Sequence, residues 1–171
     1  VNILLYSTMF IPATALTYPV YNLVNRLHIY DTRSALILIY SCSGIAVSFF
    51  VIKNYYDNIP RDLEEAARID GCGYIQTWLR VIFPIARPGI MTAAVLAFLN
   101  NWNEYYWASL VLITREKLTV PALLSTFTTA FSTNYNGLFS AMVVIILPPV
   151  ALYCIFSKFF IEALSGGAVK G

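Results

Sequence analysis

Four residues of the chain have the types and spacing to line a path for a polar solute. Asn100, Asn103, Glu104 and Trp107 stand at i, i+3, i+4 and i+7, the repeat that shares one face of a helix. Amides, a carboxylate and an aromatic ring on one face supply hydrogen bonds and a flat apolar contact to a hydroxyl-bearing ligand. The surrounding residues are apolar enough for lipid, where inserting an ionisable group costs about 2.5–3.5 kcal/mol, so Glu104 reads as functional. Two structural readings compete. Asn and Glu side chains can bond a neighbouring span, and Trp102, Tyr105, Tyr106 and Trp107 can form an interfacial aromatic belt. A second constellation runs from Asn58 to Pro88, with Asp57 just ahead of it. It gathers Asp62, Glu64, Glu65 and Asp70 with Arg61, Arg68, Arg80 and Arg87. So much charge belongs in water, and its order suits a docking surface better than a spacer. Neither set is a catalytic one. No segment has the form of a phosphate-binding loop, and Cys42, Cys72 and Cys154 lack metal-ligand spacing. An enzyme, a directly bound cofactor, a metal site and a disulfide are therefore not expected.

The elements that must position these sets are set by composition. The chain has 171 residues, 58% hydrophobic and 12% charged, against about 25% charged in an ordinary soluble domain; mean hydropathy is +0.67. Repeated apolar runs near the length of a bilayer crossing predict an all-α, polytopic membrane protein surrounded by lipid. Four spans are expected at about 3–23, 34–53, 87–113 and 138–161, with a water-side loop at 57–86. The net charge of +2 gives no argument for nucleic acid. Pro12 and Pro19 interrupt the first run, and Thr14, Tyr18, Tyr21 and Asn22 give it a polar side. His28 falls in a short linker and reads as an exposed loop residue. Ser41, Ser43, Gly44 and Ser48 predict close helix packing in the second run, with Gly44 a packing residue rather than a hinge. Between residues 114 and 137 a short amphipathic helix is expected at about 121–131, followed by a turn at Asn136-Gly137. Lys53, Arg61, Arg68, Arg80, Arg87, Lys158 and Lys170 fall on one side, and Arg26, Arg33, Arg115 and Lys117 on the other. That bias puts the 57–86 loop and the C-terminus in the cytoplasm. The chain begins at Val1, without a basic leader, and reads as the C-terminal part of a longer protein. The tail from Gly166 to Gly171 is flexible by composition.

Within the charged island the residues punctuate a helix. Pro60 suits a helix start. Asp62, Glu64 and Glu65 suit its positive end and Arg68 its negative end. Gly71 is placed to stop it in the left-handed region. Leu63, Ala66 and Ala67 are expected on one face, where two alanines let another backbone approach. A second helical piece from about Tyr74 to Ile82 is expected to end at Phe83-Pro84, with Pro88 stiffening the entry into the third span.

Glu65-Ala66-Ala67, Gly71 after three residues, and Val81-x-Phe83-Pro84 after nine more form one pattern. It resembles the EAA signature of bacterial ABC importer permeases, with Val81 and Phe83 as apolar replacements for Ile and Leu. Asp70-Gly71, Pro88 and the terminal Gly167–Gly171 are similar to the carbohydrate-uptake branch, in particular the second membrane subunit of maltose-type importers. The resemblance implies a subunit of the bacterial cytoplasmic membrane that moves a sugar or oligosaccharide. Its implied partners are a second permease subunit, two cytoplasmic ATPase subunits that hydrolyse the ATP, and an extracellular or periplasmic solute-binding protein. It implies an ATPase-coupling role for Glu64, Glu65, Ala66, Ala67, Asp70, Gly71 and Pro84, contact of residues 114–137 with the binding protein, and a cytoplasmic contact for Lys170. Two rivals remain. One is an importer of this kind for an amino acid, polyamine or phosphate. The other is an ion-coupled secondary transporter or channel, which would call for inverted repeats or more intramembrane ion ligands.

Overall fold

The computed structural model describes residues 2–128 and 132–168, with side chains as far as residue 157. Among these residues the regular structure is helical, apart from an isolated bridge between Thr128 and Thr133. The first apolar run is two pieces. α1 (Asn2–Met9) stops ahead of Pro12, which lacks a donor and holds its neighbour extended. A 3-10 turn at Ala13–Leu16 leads into α2 (Thr17–Arg26), and the two arms meet at 96°. α3 (Arg33–Ser43) starts at Thr32, whose hydroxyl accepts from the Ala35 N–H at 3.4 Å. It ends at Gly44, and α4 (Ile45–Asp57) follows.

After α5 (Asp62–Ile69) the chain runs helically without a stop from Tyr74 to Trp102: α6 (Tyr74–Thr77), a π turn at Trp78–Ile82, and α7 (Phe83–Trp102). The break expected at Phe83-Pro84 is absent. The wider π turn just before Pro84 shifts the hydrogen-bond ladder, so the ring and the missing N–H meet a loosened turn rather than a closed one. α7 instead stops at Trp102, inside the predicted third span, and α8 (Tyr106–Val111) starts after a break at residues 103–105. α9 (Val120–Leu124), capped by the Thr119 hydroxyl, continues into a 3-10 turn at Ser125–Phe127. Phe131, the expected end of this helix, lies outside the described residues.

α10 (Tyr135–Ala168) begins ahead of Asn136-Gly137, so that pair is the first turn of a helix and not a loop. The Asn134 carboxamide accepts from the Gly137 N–H at 3.0 Å, the role in which Asn starts helices. A Cβ at residue 137 would lie 2.7 Å from the Phe127 ring. α10 carries Pro148 and Pro149 internally and passes through Gly166 and Gly167 to Ala168, where a flexible tail was expected. Val169–Gly171, with Lys170, and the side chain of Lys158 lie outside the described residues.

By length and composition two helical stretches can cross a membrane, Tyr74–Trp102 and Tyr135–Ser157. The number is four if the broken pairs α1–α2 and α3–α4 each count as one span.

The contacts divide the chain into two units, residues 1–46 with 98–151, and residues 47–97 with 152–171. In the first, Val24, Ala35 and Val111 form one buried cluster, and Leu36, Trp107, Ala108, Leu112 and Ala122 another. Asp31 fastens this unit at its loops. Its backbone is left-handed (φ 54°), and its carboxylate accepts from the N–H groups of Ile113 and Thr114 at 2.8 and 3.0 Å. The Thr114 hydroxyl at 2.5 Å and the Lys117 ammonium at 2.8 Å complete the shell. The Lys117 ammonium first, then Thr114 and Ile113, hold the Asp31 carboxyl well below the usual carboxylate range.

In the second unit α7 comes close to α4 at Gly89. A Cβ there would come within 2.3 Å of the Tyr55 ring on α4. Gly44 is different, since a Cβ would meet only the Tyr40 carbonyl at an ordinary 3.5 Å. Gly44 therefore marks an interruption, and the small-residue packing expected there is found at Gly89 instead.

Candidate functional site

The charged island is built around the end of α5. Asp70 is its C-cap and Gly71 follows at φ +80°. The Gly71 N–H donates to the Arg68 carbonyl at 3.0 Å and the Cys72 N–H to the Ala67 carbonyl at 2.9 Å. That pair of bonds is the Schellman closure of a helix, and it needs a residue that tolerates the left-handed region. Asp62, Glu64 and Glu65 in the first turn and Arg68 in the last complement the helix dipole as the sequence predicts.

The faces differ from the expected ones. Residues step about 100° around a helix, which puts Asp62, Glu65, Ala66 and Ile69 on one side and Glu64, Ala67 and Arg68 on the other. Ala67 is buried while Ala66 is exposed, so the two alanines do not form one docking face. Ala67 packs inward and Ala66 points out. The outward side continues into apolar surface on either side of the Gly71 turn: Ile69 is 86% exposed, Tyr74 82% and Ile75 72%. These three apolar residues were missed in the sequence, where the eye follows the charges. The signal was present as large apolar side chains flanking a glycine stop. Glu64 lies away from this surface, and Pro84 is half-buried within the continuous helix.

The second set is rearranged by the break at residues 103–105. Asn100 lies in α7, Asn103 and Glu104 in the break and Trp107 in α8, so the four do not share one helical face. Glu104 causes the break to hold. Its carboxylate oxygens accept from the N–H groups of Trp107 at 2.8 Å and Ala108 at 3.1 Å, closing the start of α8. The Tyr40 hydroxyl donates to the same carboxylate at 2.7 Å. Trp107 turns into the core beside Leu36 and Ala108.

An open depression of about 610 Å³ remains, lined by Leu99, Asn100, Asn103, Glu104, Tyr105 and Tyr106. The Asn103 amide donates back to the Leu99 carbonyl at 2.9 Å, which leaves Asn100 as the freer amide. Trp102 donates its indole N–H to the Ile145 carbonyl at 3.0 Å and stacks on Phe98, so it pins α7 to α10.

Long apolar helices and a charged, sharply capped loop define an all-α protein of the multi-pass membrane class. Residues 1–166 match the family described as binding-protein-dependent transport system inner membrane component, and the chain belongs to it. It is 34% identical over 169 residues to the arabinooligosaccharides transport system permease protein AraQ of Bacillus subtilis, covering 99% of this chain and 59% of that protein. It is 32% identical over 166 residues to the trehalose transport system permease protein SugB of Mycobacterium tuberculosis, covering 96% and 60%. Among solved structures, a bacterial ABC transporter involved in the import of the acidic polysaccharide alginate matches with a TM-score of 0.73 at 24% identity, over 93% of this chain and 60% of that one. That last likeness is one of fold. The chain thus spans about three-fifths of the length of these relatives.

Proposed function

We propose that the chain is a permease subunit of an ATP-driven ABC importer for a sugar or oligosaccharide. It would act with a second permease subunit, two cytoplasmic ATPase subunits and a solute-binding protein. The observation that carries this reading is the Schellman turn at Gly71, which presents Glu65, Ala66, Ile69, Tyr74 and Ile75 as one exposed surface. Charge at its rim orients a partner, and apolar side chains at its centre give the contact energy. In this reading the ATPase seats this surface, with the 57–86 loop and the C-terminus in the cytoplasm.

Closure of the ATPase pair moves α5. Ala67, packed inward, and the unbroken helix from Tyr74 pass that motion on as a rigid element, and access alternates between the two sides. Asn100, Asn103 and Glu104 line part of the solute path, and Trp107 supports it from the core. Relatives that carry arabinooligosaccharides and trehalose support a sugar over other solutes. Glu65→Lys and Gly71→Pro are expected to abolish ATPase-coupled uptake while the protein still inserts. Retention of both ATPase copurification and uptake in both variants would overturn the reading.

A further inference from the structure

Two hydroxyl groups that do not line the depression, those of Thr17 and Tyr40, hold two of the side chains that do. Thr17 opens α2, and its one proton goes to the Thr14 carbonyl at 2.7 Å. In the hydrogen bond between Thr17 and Tyr106 the Tyr106 hydroxyl is therefore the donor. Tyr40 lies on α3 and donates its own proton to the Glu104 carboxylate at 2.7 Å. The partners are 89 and 64 positions apart in the chain. Two different apolar helices thus reach the short stretch where α7 has stopped and α8 begins.

Hydrogen bonds between apolar helices commonly do no more than join them. Three features set these two apart. They end where the backbone ladder is interrupted, so side chains rather than helix geometry fix the conformation. They end on Glu104 and Tyr106, both of which line the depression. They also settle what those two residues offer a solute. The Tyr106 proton is spent on Thr17, and the Glu104 carboxylate takes up the Tyr40 proton besides two backbone N–H groups. What remains on both is acceptor capacity, and the hydroxyl of a sugar is the donor that such groups receive. A hydroxyl whose own proton is already bonded is also the stronger acceptor. We propose that Thr17 and Tyr40 are positioning residues of the solute path, which hold Tyr106 and Glu104 as fixed acceptors for sugar hydroxyl groups. Without either bond the 104–106 stretch samples other arrangements, and only the fraction with its acceptors in place binds productively. This inference rests on reading the depression as part of the path of a sugar permease.

The test uses the assembled transporter with its solute-binding protein in proteoliposomes, at matched protein levels. Uptake is measured for a panel of labelled di- and trisaccharides of glucose, galactose, xylose and arabinose. The readout is the ratio of rates between the sugars, because a merely structural loss lowers all of them together. Thr17→Val and Tyr40→Phe, which delete a hydroxyl and keep the shape, should each shift that ratio by about two- to tenfold, the worth of one hydrogen bond. Thr17→Ser, which restores the hydroxyl, should recover the wild-type profile. Thr17→Val should add nothing in a Tyr106→Phe background, since the bond is already gone there. An equal loss for every sugar, no recovery in Thr17→Ser, or additive effects of Thr17→Val and Tyr106→Phe overturns the proposal. Asn100→Ala, which alters the depression and neither bond, separates this inference from the reading beneath it. A profile changed by Asn100→Ala but not by Thr17→Val and Tyr40→Phe refutes the positioning role alone. A wild-type profile in Asn100→Ala refutes the path reading, and this inference with it.

Discussion

Replacing Gly71 isolates the proposed coupling surface from every other feature of the loop. Its φ of +80° lies in the left-handed region, and a Cβ there would meet nothing within 4 Å. No steric clash with neighbours contributes, so the cost of a substitution is the backbone's own. For alanine that is about 1–2 kcal/mol, which lowers the ratio of turn to competing conformations by a factor of about 5–30. Asparagine, which enters this region more readily, should cost less. Valine should cost more, because branching at Cβ makes positive φ an outlier. Proline should cost most: its φ is fixed near −65°, and it deletes the N–H that bonds the Arg68 carbonyl. ATPase copurification and uptake into vesicles, at matched membrane levels, should therefore fall in the order Gly, Asn, Ala, Val, Pro. The alanine variant should lose affinity for the ATPase by up to the factor above. Equal ATPase binding by the glycine, alanine and valine proteins would refute the claim that the turn's handedness presents the surface. So would an asparagine variant as weak as proline.

Other consequences are equally direct. Glu104→Ala removes the acceptor for two backbone N–H groups and for the Tyr40 hydroxyl, and should destabilise the folded state by about 0.5–2 kcal/mol from the cap alone. Glu104→Gln keeps one acceptor oxygen, and an uptake loss larger than its shift in unfolding midpoint would mark a role in the path. Asp31 titrates far below its unfolded value near 4, so its contribution is complete above that value and is lost as pH falls further below it. Wild type and Asp31→Asn should differ in thermal midpoint at neutral pH and converge in acid; a constant difference would contradict the carboxylate's role. Gly89→Leu should overpack against Tyr55 and destabilise by about 1–3 kcal/mol, and Tyr55→Ala in the same protein should recover part of that loss. Failure of the second change to relieve the first would mean the two residues do not meet.

The sequence by itself determined the elements whose cause is local. The helix of the charged island, its acidic start, its arginine end and its glycine stop follow from capping and φ preference, which act over a few residues. The helical membrane class follows from composition alone. Where the outcome hung on partners distant in the chain, only the tertiary structure decided it. Glu104 reads as one member of a polar face until Tyr40, 64 positions away, and the start of α8 claim its carboxylate. Asp31 looks like an ordinary loop acid until residues 113–117 close around it. Ala66 and Ala67 are neighbours in the signature, yet one packs inward and the other faces out, because a helix turns by about 100° between them. Gly44 and Gly89 are both small residues in apolar runs, and only the ring of Tyr55 singles out the second. Capping and composition are written along the chain; which face is covered, and by what, depends on contacts that sequence spacing does not contain.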